Sequence, residues 1–97
     1  MKYTLISFLI FTSIANATYI QENAGLVGKS IEHGTCNKLT ISISAHKRKT
    51  VKEVGGRGFD CHVLPEGVVC ARNDWFTSTN YFKTLEECQK HLTSISK

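Results

Sequence analysis

Residues 59–71 read Phe59-Asp60-Cys61-His62-Val63-Leu64-Pro65-Glu66-Gly67-Val68-Val69-Cys70-Ala71. Phe59, Cys61 and Val63 alternate with Asp60 and His62, the period of a strand with one covered and one wet face. Proline and glycine then stand where a four-residue turn wants them, and Val68 to Ala71 return. With Pro65 and Glu66 as the loop residues, Val63 faces Val68 and Cys61 faces Cys70. Counted outward from the turn, both are non-hydrogen-bonded pairs, whose side chains approach most closely. This hairpin is the clearest β signal in the chain and makes the sheet antiparallel at this point.

Downstream, Thr84 to Ile95 predicts a helix. Thr84 is an N-cap with Glu87 three residues on, and Glu86 adds negative charge to the first turn. Leu85, Cys88, Leu92 and Ile95 recur on one stripe, so Cys88 points at the core. Such a helix must lie on a sheet face, because it cannot bury its own stripe alone. Upstream, Leu39, Ile41, Ile43 and Ala45 alternate with Thr40, Ser42 and Ser44, which predicts a strand. His46-Lys47-Arg48-Lys49 then reads as a charged turn, Thr50 to Val54 as a return strand, and Gly55-Gly56-Arg57-Gly58 as a break. Residues 18–35 show no sustained period and read as a largely irregular arm, with a short strand or helical turn near Leu26 to Ile31. The expected fold is α+β: a small antiparallel sheet of three to four strands, one C-terminal helix packed on one face, and two disulfides.

With 97 residues the chain holds one domain and is too short for a multidomain enzyme or a dinucleotide-binding fold. Residues 1–17, MKYTLISFLIFTSIANA, carry a basic residue at Lys2, an apolar core from Leu5 to Ile14 and the small-x-small end Ala15-Asn16-Ala17. This is the pattern of an export signal, and its core is about half the roughly 20 residues a membrane span needs. The expected product is residues 18–97, periplasmic or extracellular, with no transmembrane segment once the signal is removed. A domain of that size buries a small fraction of its surface and needs staples. Cys36, Cys61, Cys70 and Cys88 supply them as two disulfides. Cys61–Cys70 with Cys36–Cys88, or Cys70–Cys88 with Cys36–Cys61, satisfy the reading equally, and in each Cys88 pins the helix.

Motifs for chemistry are weak. Gly25-Leu26-Val27-Gly28-Lys29-Ser30 ends like a phosphate loop, but Asn23 stands where its first glycine belongs, so no nucleotide is expected. Gly55-Gly56-Arg57-Gly58-Phe59 resembles one copy of an RGG segment and reads as a turn. His33, His46, His62 and His91 lack the close spacing of zinc ligands, and neighbours Cys61 and His62 point to opposite faces of a strand, so neither metal nor cofactor is expected. Oxidised cysteines also leave no thiolate nucleophile.

The signal that remains is basic and aromatic. Lys47, Arg48, Lys49, Lys52 and Arg57 stand against Glu53 alone and make a candidate anion-binding stretch. Trp75 and Phe76, in a loop after Asn73-Asp74, are candidate interface aromatics. The expected function is a non-enzymatic exported binding protein acting on a protein partner outside the cytoplasm. The alternative is polyanion binding (nucleic acid, glycosaminoglycan, lipopolysaccharide or acidic lipid headgroups) through residues 46–57. A further alternative is a small secreted nuclease using His46 and His62.

Overall fold

A computed structural model describes residues 17–96. All of the expected export signal except Ala17 lies outside the described residues. The elements run β1 (Tyr19–Leu26), β2 (Ile31–His33), β3 (Asn37–Lys38), α1 (Ile43–Gly55), β4 (Asp60–Val63), β5 (Gly67–Arg72), β6 (Trp75–Phe82) and α2 (Leu85–Ile95). The fold is α+β, with a six-stranded antiparallel sheet in the order β2-β1-β6-β5-β4 and β3 pairing with β1 off that path. The first long strand therefore lies beside the last. The chain reaches the far edge by crossing one face through α1.

The hairpin of residues 59–71 forms in the expected register, with Cys61 opposite Cys70 and Val63 opposite Val68. Leu64 and Gly67 exchange backbone hydrogen bonds of 2.8 and 3.3 Å, closing the turn around Pro65 and Glu66. The Cys61–Cys70 disulfide joins the two strands at a Cα–Cα distance of 4.0 Å, as a non-hydrogen-bonded pair allows. The second disulfide is Cys36–Cys88. These two bonds settle the pairing that the spacing left open. The helix at residues 85–95 starts as read, with the Thr84 hydroxyl accepting a 3.0 Å bond from the Glu87 amide.

Several expectations fail. Leu39–Ala45 and Thr50–Val54 are not strands, and His46–Lys49 is not a turn, because residues 43–55 form α1. The Ser42 hydroxyl accepts a 3.1 Å bond from the Ala45 amide and caps the helix, and no glycine or proline interrupts it before Gly55. The alternation that suggested a strand covers too few residues to outweigh that cap. Residues 18–35 are not an irregular arm: they hold the interior strand β1 and its partner β2. The sheet consequently has six strands instead of three or four, with helices on both faces instead of one. Trp75 and Phe76 open β6, because the loop before them is only the two-residue turn Asn73-Asp74, where Asn73 adopts φ 53°.

Neighbours Tyr81 and Phe82 point to opposite faces, and each touches one helix. Tyr81 meets His46 of α1, and Phe82 meets His91 of α2 at a centroid distance of 5.2 Å. The apolar core is small: Ile20, Val68, Cys70 and Cys88 are buried. On the α2 face, Gln21 is fully buried and Asn23 nearly so. Gln21 Nε2 donates to Asn23 Oδ1 at 2.7 Å and to the Gly34 carbonyl at 3.0 Å. Asn23 Nδ2 donates to Gln21 Oε1 and to Ser78 Oγ, both at 3.1 Å. Every polar group in this cluster is satisfied, which is the condition for burying carboxamides at all.

Candidate functional site

The basic residues at 46–57 expected on a hairpin turn instead ride on α1, and the helix sorts them. At 3.6 residues per turn, Arg48, Lys49 and Lys52 fall within about a third of the circumference. All three are exposed. Lys47 points the other way: its Nζ donates to the Leu64 carbonyl at 2.7 Å and the Pro65 carbonyl at 3.3 Å. It therefore ties α1 to the β4–β5 turn instead of presenting charge. Arg57 lies past the helix in an exposed turn, its carbonyl accepting a 2.9 Å bond from Arg72 Nη1. Among the described residues the one contact between a basic side chain and a carboxylate is His62–Asp60 at 3.4 Å, so Arg48, Lys49 and Lys52 carry no carboxylate partner.

Between α1 and β4 runs an open groove of about 480 Å³, lined by Ser44, Lys47, Arg48, Val51, Lys52 and Val63. The apolar side chains of Val51 and Val63 share this lining with the cations Lys47, Arg48 and Lys52. Val63 is 57% exposed although it is apolar and lies in a strand. The strand beside the groove is the sheet's last. Leu64 and Gly67 close the turn, so His62 and Val69 form the next hydrogen-bonded pair, and Cys61 and Val63 turn their N–H and C=O groups away from β5. Among the described residues no strand pairs with that side of β4.

On the same face, His46 Nδ1 and the Tyr81 hydroxyl are hydrogen-bonded at 2.7 Å, with Thr50 Oγ1 3.5 Å from the same nitrogen. Burial, and then the negative charge of Glu22, push the Tyr81 phenol above its ordinary pKa of 10.0. The folded chain thus holds this proton to a higher pH than the unfolded chain does. Stability from this site is complete below pH 10 and is lost as pH rises through the folded value. Tyr81→Phe is expected to make the fall in urea midpoint above pH 10 shallower than in the parent. Parallel curves for the two proteins would contradict it.

The two histidines named for a nuclease do not converge. His46 is carried by α1 on one face, against Tyr81, whereas His62 pairs with Val69 on the other face beside Asp60, and the sheet stands between them. All four cysteines are oxidised. Trp75 and Phe76 also part company, pointing to opposite faces of β6; Trp75 is 38% exposed beside Leu26, and Phe76 is half-buried.

The sequence reading missed Val51 and Val63 as surface features and missed the strand edge. The signal that reveals them is helical: Ile43, Lys47, Val51 and Val54 recur at near-helical spacing once Ser42 is taken as a cap. No helix among the described residues is long and apolar enough to cross a membrane. Comparison with protein-family models, curated proteins and solved structures finds no match for this chain.

Proposed function

We propose that this chain is a small exported binding module whose partner is a protein presenting acidic and apolar side chains together, taken up between α1 and β4. The observation that supports it is the groove itself, lined by the apolar Val51 and Val63 together with the unpaired cations Arg48 and Lys52. A nucleic acid or glycosaminoglycan gains from the cations alone and leaves the valines uncovered. A protein segment satisfies both. Two disulfides and the basic balance of the chain suit work outside the cytoplasm.

The test compares a random Glu/Val copolymer, poly-glutamate and heparin by fluorescence anisotropy over a range of salt. The copolymer is expected to bind best, with affinity falling as salt rises. The Arg48→Glu/Lys52→Glu protein should lose about tenfold, the worth of two exposed charge pairs. Heparin binding with no copolymer binding would replace this reading by a polyanion receptor.

A further inference from the structure

Resting on that reading, we infer that β4 is a docking edge for an extended acidic segment of the partner, which joins the sheet antiparallel to β4. Cys61 and Val63 hold their peptide groups outward with no strand to receive them. An edge strand of this kind is a template for pairing, and proteins that must leave one open guard it with charge. The guards here are Arg48 and Lys52, on the groove side of the edge. They repel the same edge of a second copy, which carries the same cations, and they attract a strand bearing carboxylates.

The alternation of a strand then fixes what the segment looks like. In an antiparallel addition, residues opposite Cys61 and Val63 share their face and so overhang the groove. An apolar side chain there covers Val51 and Val63. Carboxylates two residues to either side stand on the same face, within reach of Arg48 and Lys52. The recognised pattern is acid-x-apolar-x-acid. On the opposite face the segment meets Asp60 and His62, which already satisfy each other.

Two peptides of identical composition separate this from simple charge attraction. One is acetyl-Ser-Glu-Ser-Val-Ser-Glu-Ser-amide, with both acids on the valine's face. The other, acetyl-Ser-Ser-Glu-Val-Glu-Ser-Ser-amide, puts them on the opposite face. Titrated into the isotope-labelled oxidised protein, the first is expected to shift the backbone amides of Cys61 and Val63 and slow their hydrogen exchange. It should bind about tenfold more tightly than the second, the worth of two charge pairs. N-methylation of its valine should cost about tenfold through lost backbone hydrogen bonds. Equal binding of both orders, with no effect of N-methylation, would overturn strand addition and leave binding in the groove standing. No binding of either peptide, while heparin still shifts α1 amides, would overturn both.

Discussion

Gly67→Ala is expected to destabilise the protein by about 3 kcal/mol or more, or to prevent a folded product from accumulating. Gly67 is buried where β5 leaves the turn, opposite Asn80. A Cβ built on it runs into the Thr79 carbonyl oxygen, with the Thr79 carbonyl carbon at 3.0 Å and the Asn80 Cα at 3.4 Å. All three are backbone atoms of β6, a strand paired on both sides, so no side chain can swing away. Room for a methyl group comes only by parting β5 from β6 beside Val68, one of the few fully buried apolar residues. Gly55→Ala is the control, since its Cβ meets only Cys61 Sγ at an ordinary 3.7 Å, at the end of a helix. That change should be neutral or add up to about 1 kcal/mol through the unfolded chain. Urea unfolding of both variants decides it, and a Gly67→Ala midpoint equal to the parent's would show that the strands yield.

The Cys36→Ala/Cys88→Ala protein is expected to lose more stability than the Cys61→Ala/Cys70→Ala protein. The bonds close loops with sequence separations of 52 and 9. Chain entropy alone assigns them about 4 and about 3 kcal/mol. Packing widens the gap. Cys88 is fully buried and is the anchor of α2, whose Leu85 is 39% exposed and whose remaining stripe is half-covered. Against the 5–15 kcal/mol typical of a whole domain, roughly the low end for one so small, losing about 4 kcal/mol threatens the fold itself. The expected result is a product lacking α2 helicity at room temperature, while the Cys61/Cys70 variant still unfolds cooperatively. The reverse order by far-ultraviolet circular dichroism and urea titration would mean that α2 docks without its bond.

What the sequence made legible was what local chemistry dictates. The residues 59–71 carry alternation, turn residues and facing cysteines, and the hairpin formed in register. Thr84 with Glu87 marks the start of α2 to within a residue. β1 was invisible for a physical reason. Ile20 is its one buried apolar residue, and the face it turns to α2 is Gln21 and Asn23, whose burial depends on partners at Gly34 and Ser78 that no local pattern shows. Hydrophobic periodicity cannot find a strand whose inward side is amide. α1 was misread because seven alternating residues, 39–45, mimic a strand running into its first turn, while its cap is a single serine. The basic residues of the candidate site were therefore identified correctly as residues and placed on the wrong element. The groove needs β4 and α1 together, so no reading of either alone would have found it.

The pairing of β1 with β6 sets the order in which this molecule can assemble. Tyr19 aligns with Phe82 and Leu26 with Trp75, so the earliest strand synthesised waits for the latest. Until then it holds only the three residues of β2 and the two of β3. Native closure is accordingly an all-or-nothing event at the end of chain delivery, dominated by contacts remote in sequence and slow for that reason. A ribosome or a protease that stops at Arg72 leaves the β4–β5 hairpin without the strand that joins it to β1.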